Sequence, residues 1–470
     1  MRKITFLSVM LAAAAILNSN DMQAAVKEKV TPIPPVMFKG KPFFPIGVYD
    51  LAHSKTNWRN RLGDVDPVLY ECGVNAAFFG HLGMPENKQY PGYSHIAKAF
   101  DRANQDPRFA DIALIVNFTA DIFCIEDKTI KGKAKRKYRP LNQAEREVRK
   151  AFLTEAFQYF AKQPNVIGYS FDEPENTFVN YFKQQEPSVD LNNRIGYALR
   201  DYLGWITPLI RENHPGAMQM PIIAWWGTYK DVAPLYEVLI ANQYPRSNDK
   251  SEFAAGLYEV SFDAARAVTA ARVAGGGRSV IYMPPSFNSL NSNWNFATRK
   301  ELRYMYFAPI TRGAMGLMGW RLNRCTQEYR DTVVYPTLKE VSRFKDFYLG
   351  SWHDELVTSN RDTASVDYLK KFAARDELLS DVKVGTTITV TDFVPDASYC
   401  LRQREDGTYM LLAVNNRREE QEVEFNIALD KLPTEVKEVL SDRNVSIKNN
   451  VLKDKFAPFG VHVYLFKAGK

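Results

Sequence analysis

Short apolar runs recur along this chain, each closed by polar or aromatic residues and then followed by a stretch of helical spacing. The runs predict strands at Phe43–Tyr49, Val74–Phe79, Ile112–Phe118, Val166–Phe171, Pro221–Trp226, Leu239–Tyr244, Ser279–Met283 and Ala314–Trp320. They are almost uninterrupted in apolar character, as parallel strands covered on both faces must be. Between them, apolar residues at helical intervals predict helices at Trp58–Cys72, Ala97–Asn104, Leu141–Lys162, Leu191–Asn213, Val232–Glu237, Glu252–Ala274, Arg299–Thr311 and Val333–Tyr348. Gly73, Pro164, Pro215-Gly216 and Gly275-Gly276-Gly277 mark helix ends. Eight strands alternating with helices predict an α/β fold of the (β/α)8 TIM-barrel type. The rival, a doubly wound open sheet, requires a glycine-rich phosphate turn after the first strand, and this chain has none there.

After about residue 352 the period changes from helical to alternating. Thr386–Val390, Tyr399–Arg404, Tyr409–Asn415, Glu422–Ile427 and Gly460–Phe466 alternate at period two, and Asp406-Gly407 between two of them is a hairpin signal. A small all-β antiparallel sandwich is expected over residues 351–470, behind a barrel over 26–350. Its expected role is packing against the barrel, with sugar binding as the alternative.

The first 25 residues stand apart. Arg2 and Lys3 precede an apolar run from Ile4 to Leu17, and Ala24 and Ala25 follow. That is the pattern of a secretory signal peptide, which implies an exported protein, periplasmic or secreted. The run is too short to span a bilayer, so no membrane insertion is expected. A net charge of +7 over 470 residues, without an arginine-rich arm, gives no reason to expect nucleic acid. Lys131–Arg139 is the densest basic stretch and reads as a solvated loop. Cys72, Cys124, Cys325 and Cys400 are far apart and lack metal-ligand spacing; they read as free, buried thiols, although an exported protein permits one disulfide. The six histidines show no metal-binding arrangement, so neither metal nor cofactor is expected. Oligomeric state is not readable from the sequence.

The chemistry concentrates after the fourth strand, where Phe171-Asp172-Glu173-Pro174-Glu175 places three carboxylates within four residues. In a barrel of this kind reactive groups sit at the C-terminal ends of the strands. Cleaving a glycosidic bond requires a carboxyl group that protonates the leaving oxygen, and a strand end lined by aromatic residues suits one. Glu173 is the candidate acid/base and Asp172 its partner. The bland alternative is that both cap the next helix, for Asp-Glu-Pro-Glu is also a good helix opening. Glu175 by itself reads as a capping or first-turn carboxylate. Trp225, Trp226, Tyr244, Tyr282 and Trp320 fall at or near other strand ends and could offer flat apolar faces to a sugar ring. Tyr49, Asp50, His81, Asn117, Gln243, Arg321 and Asn323 are candidates for polar contacts.

Gly47-Val48-Tyr49, Gly73-Val74-Asn75, Asp172-Glu173-Pro174, Tyr244 and Gly319-Trp320 together resemble the (β/α)8-barrel glycoside hydrolases of clan A and related bacterial glycosidases. The resemblance spans nearly the whole chain after the leader. It implies an oligosaccharide or polysaccharide substrate and makes Glu173 the acid/base, with Asp172 where the clan has asparagine. It also implies a glutamate nucleophile after the seventh strand. This chain has Tyr282-Met283-Pro284-Pro285-Ser286-Phe287 there, without an acid. Three readings follow. The substrate's own acetamido group attacks, oriented by Asp172, as in some β-N-acetylhexosaminidases. Another acid serves, from Asp50, Glu175, Asp231 or Glu328. Or the protein binds carbohydrate without cleaving it.

Overall fold

The structure, a computed structural model, describes residues 32–49, 66–86, 92–127, 129, 138–175, 191–224, 226–242, 244–245, 256–288, 296–362 and 394–469. The expected leader, residues 1–25, lies outside them, as do Asp50, Trp225, Gln243 and the run Thr386–Val390.

Eight parallel positions form the barrel: β1 Ile46–Tyr49, β2 Ala76–Leu82, β3 Ala113–Phe118, β4 Val166–Phe171, β5 in two pieces at Met218–Gln219 and Ile222–Ile223, β6 Val238–Ala241, β7 Ser279–Tyr282 and β8 Leu317–Gly319. Each pairs with the next, and β8 pairs with β1. The ring closes through the divided β5. Its first piece pairs with β4, its second with β6, and a bridge between Asp172 and Ile222 spans the division. Pro221 lies between the pieces and has no N–H to donate, so the strand is interrupted there; Pro221 instead offers its carbonyl to Ile240 at 2.9 Å.

Alternation then assigns every strand residue to the lumen or to the helix layer. Tyr49, Ala76, Phe78, Ala113, Ile115, Ile240, Ile281, Met283 and Met318 fill the lumen. Val48, Ala77, Leu114, Val116, Tyr169 and Val280 face outward and merge with the helices in one large apolar core. A hairpin of Val36–Phe38 and Lys41–Phe43, absent from the sequence-based expectation, closes the lumen opposite the strand C-termini with Val36, Phe38 and Phe43. Its Lys39-Gly40 turn has both φ values positive, at 50° and 74°, which suits a two-residue hairpin.

Around the ring run α1 Pro67–Glu71, α2 Ser94–Ala103, α3 Gln143–Phe160, α4 Leu191–Asn213, α5 Tyr229–Val232, α6 Tyr258–Ala274, α7 Arg299–Thr311 and α8 Tyr335–Ser342. Sequence signals set their ends. Reciprocal capping boxes open α3 (Asn142 with Glu145) and α7 (Thr298 with Glu301), and Gly275 at φ 64° ends α6.

The C-terminal sheet comprises β9 Ser351–Trp352, β10 Val357–Ser359, β11 Ala397–Gln403, β12 Thr408–Asn415, β13 Gln421–Ile427, β14 Glu435–Glu438, β15 Arg443–Lys448, β16 Val451–Phe456 and β17 Val461–Lys467. These strands run antiparallel in the order β9-β11-β12-β17-β14-β15-β16-β13-β10 and fold over their own core of Leu401, Leu411, Val423, Phe425, Leu452 and Tyr464. The opposite face of β11, β12 and β17 does not meet water. Cys400, Met410, Leu412, Val414 and Val463 join the barrel's helix-layer core. Tyr304 of α7 donates to Asn416 Oδ1 at 2.6 Å and packs on Phe459 with ring centres 5.1 Å apart. All four cysteines are buried and unpaired.

Candidate active site at the barrel mouth

Consecutive strand residues face opposite ways, so Asp172 and Glu173 would normally diverge. Glu173 breaks the alternation by adopting a left-handed backbone, φ 47°. Its N–H donates to Ile222 O at 3.1 Å, which holds the kink against β5. Both carboxylates therefore address the mouth. Asp172 Oδ2 accepts from the Tyr49 hydroxyl at 3.0 Å, and that hydroxyl accepts from Asn117 Nδ2 at 2.8 Å. Glu173 Oε1 accepts from Asn242 Nδ2. Tyr49, Asn117 and Asn242 are all buried, while Asp172 and Glu173 keep partial exposure.

Glu175 has a different task. It is fully buried, and Oε1 accepts the Ala224 N–H at 2.5 Å, tying the loop after β4 to the end of β5. Pro174 and Glu175 are helical, in keeping with the expected first-turn carboxylate, and the buried side chain also acts as a strut between strand ends.

An aromatic wall stands on the other side. Trp320, one residue past β8, lies 5.3 Å from Tyr244 and 5.1 Å from Phe287 between ring centres, and Tyr244 lies 6.2 Å from Phe287. The chain after β7 is drawn toward β8 by Ser286 N to Trp320 O at 2.6 Å and Trp320 N to Pro284 O at 2.9 Å. Phe287 thus takes its place in the wall. Arg321 follows in a left-handed backbone, φ 36°, with its guanidinium carbon 5.0 Å from the Trp320 ring centre and 6.0 Å from that of Tyr49. Such backbone costs a non-glycine residue about 1–3 kcal/mol, and residues held this way concentrate at functional sites. Glu173 and Arg321 are the only two of the eight described non-glycine residues with positive φ that lie at barrel strand ends.

The electrostatics agree with a shared hollow. Burial pushes the Asp172 carboxyl above the ordinary aspartate range, against the pull of the Arg321 charge and the Tyr49 hydrogen bond. Burial also drives the Tyr244 phenol well above its usual range, and the charges of Glu173 and Asp172 add to the effect.

The structure therefore gathers Tyr49, Asn117, Asp172, Glu173, Tyr244, Trp320 and Arg321 at one end of the barrel. It does not bring Tyr282 there. Val280 and Tyr282 share the outward parity of β7, and Tyr282 is fully buried in the helix layer. Among the other candidates, Trp226 opens the short turn Trp226–Thr228, His81 lies within β2 and Asn323 lies in the turn Leu322–Arg324. Asp231 sits on α5 against Gly196 of α4, and Glu328 is exposed on the turn Gln327–Tyr329. Asn242 and Phe287 were not anticipated. Asn242 shares the inward parity of Ile240 and was legible on that ground; Phe287 reaches the wall only through the pairing of Pro285 with Trp320. No group of metal-ligating side chains is found among the described residues, and no described helix is long and apolar enough to cross a membrane.

No protein-family pattern matches the chain, and no curated protein matches it in sequence. Solved structures do match its fold. A GH42 β-galactosidase from G. stearothermophilus aligns with a TM-score of 0.54 at 9% identity, over 90% of this chain and 98% of that one. A GH30 endoxylanase from Clostridium papyrosolvens C71 gives 0.51 at 9% identity, over 93% and 98%. An Anoxybacillus α-amylase gives 0.51 at 10% identity, over 91% and 97%. The shared fold is a TIM barrel followed by an antiparallel β-sandwich.

Proposed function

We propose that this protein is an exported glycoside hydrolase whose barrel mouth holds a glycan, with Glu173 as general acid/base. The observation that carries the reading is the left-handed kink at Glu173, which turns two consecutive carboxylates into one hollow opposite the Trp320–Tyr244–Phe287 wall. In the first step Glu173 gives its proton to the glycosidic oxygen as the C–O bond breaks. Positive charge develops on the sugar, and Asp172, fixed by Tyr49, stabilises it or orients a 2-acetamido group that does so. Glu173, now a carboxylate held by Asn242, takes a proton from the incoming water. The amino-terminal leader supports export.

One observation favours a second reading. The end of β7 carries Met283-Pro284-Pro285-Ser286-Phe287 where a clan A nucleophile would stand, and a barrel that only binds glycans needs no nucleophile. A panel of aryl glycosides, N-acetylated sugars included, separates the two. The hydrolase reading expects turnover of at least one member and a loss of about 10²–10⁴-fold in Glu173→Gln. Full activity in that variant removes the acid assignment. Binding without turnover on every member favours the binding protein.

A further inference from the structure

Arg321 makes no use of its hydrogen-bonding capacity among the described residues. Its side chain donates no hydrogen bond to any of them, and its Nε is buried without a partner there. Arg321 is half-buried, and the Nε atoms of Arg312 and Arg330 are likewise without a hydrogen bond among the described residues, whereas other arginines are paired. Arg402 pairs with Asp354, and Arg417 donates to Asp396 at 2.5 Å and to Val394 O at 2.8 Å. A guanidinium offers five N–H donors in a planar fork; in Arg321 only Nε is shut off from water, and the two terminal nitrogens stay open to a ligand. Arg321 is nevertheless held in place, stacked near the Trp320 and Tyr49 rings on a left-handed backbone at the end of β8. Asp172 feels the Arg321 charge but makes no hydrogen bond to it, and its Oδ2 accepts from the Tyr49 hydroxyl.

A fork held at the barrel mouth, without a hydrogen bond to any described residue, suits a complementary acceptor. Sugar hydroxyls accept such bonds one at a time. A carboxylate accepts two in parallel and also neutralises the partly desolvated charge. Asp172 and Glu173 repel an acid group brought to their side, so the acid must lie on the Trp320 side of the hollow, where Arg321 stands.

We propose that Arg321 receives the carboxylate of an acidic sugar, so that the substrate is a uronic-acid-containing glycan rather than a neutral one. The inference rests on the proposed function only in taking a sugar to be the occupant of the mouth. Calorimetric titration of the full-length Glu173→Gln protein tests it, with methyl glucuronide and methyl galacturonide set against methyl glucoside and methyl galactoside. The uronides bind about 10- to 100-fold more tightly than their neutral counterparts. Raising the salt narrows the gap, Arg321→Gln removes it, and Arg321→Lys, which keeps the charge without the fork, retains part of it. Thermal midpoints establish that each variant is folded; should Arg321→Gln not fold, the partial loss in Arg321→Lys is the reading. Equal affinity for both sugar classes, or a uronide preference that survives both substitutions, overturns the proposal. Turnover of neutral glycosides without uronide binding leaves the hydrolase standing and overturns only the acidic substrate. If sugars of neither class bind, the hydrolase reading falls and the acidic substrate with it.

Discussion

Replacing Tyr49 by phenylalanine removes one oxygen and tests how the mouth is organised. That oxygen is fully buried, donates to Asp172 Oδ2 at 3.0 Å and accepts from Asn117 Nδ2 at 2.8 Å. Its loss removes one acceptor from a buried amide and strips the carboxylate of a charge-assisted bond. Leaving such a group unsatisfied costs about 1–3 kcal/mol. Unfolding entropy of about 2.1 cal/mol/K per residue gives roughly 1 kcal/mol/K for 470 residues. The thermal midpoint should therefore fall by only about 1–3 °C. The functional effect is larger. The Tyr49 bond lowers the Asp172 pKa against the rise imposed by burial. Without the bond the carboxylate charges at higher pH, and the acidic limb of activity moves upward. Loosened positioning also lowers kcat, by up to about 100-fold. Differential scanning fluorimetry and a pH profile on an active aryl glycoside measure both effects. A small midpoint change with an unmoved acidic limb would refute the claim that Tyr49 holds Asp172 in its working state.

Three further outcomes follow. Because the folded pKa of Asp172 is raised, the folded protein holds that proton longer than the unfolded chain, and its stability declines as pH rises from the ordinary aspartate range through the folded value; Asp172→Asn removes that part of the slope and flattens the acidic limb, which parallel denaturation and rate profiles will show. At position 173 the left-handed backbone reverses the usual order of small residues, so Glu173→Gly should be more stable than Glu173→Ala by about 1–2 kcal/mol, and equal midpoints would deny the strain. At Gly168 on β4 an added Cβ would overlap the Met218 carbonyl on β5, so Gly168→Ala forces the barrel seam apart and should cost about 2–3 kcal/mol, read as a lowered thermal midpoint.

Elements with strong local signals are legible in the amino-acid order. β4 at Val166–Phe171 and α7 at Arg299–Thr311 fall at the expected bounds, one an apolar run and the other a capped amphipathic segment. Weak local signals are not legible. Strands β14, β15 and β16, with sequences EVKE, RNVSIK and VLKDKF, alternate charged and apolar residues so briefly that period two hardly registers. The N-terminal hairpin escapes notice because each of its strands has only three residues.

The same division runs through the site. Sequence alone determined the eightfold alternation, the all-β tail and the carboxylates after β4, because periodicity and punctuation are properties of neighbouring residues. Parity is not. β7 starts at the expected Ser279, yet only the closed barrel shows that Val280 and Tyr282 face the helix layer rather than the mouth. Only the closed barrel decided that Asp172 meets Tyr49 and that Glu173 meets Asn242, contacts separated by 123 and 69 residues. It likewise decided that Arg321 stands over two rings without a hydrogen bond to any described residue. Those partners come from different strands, and their meeting depends on how the ring closes, which no local pattern encodes.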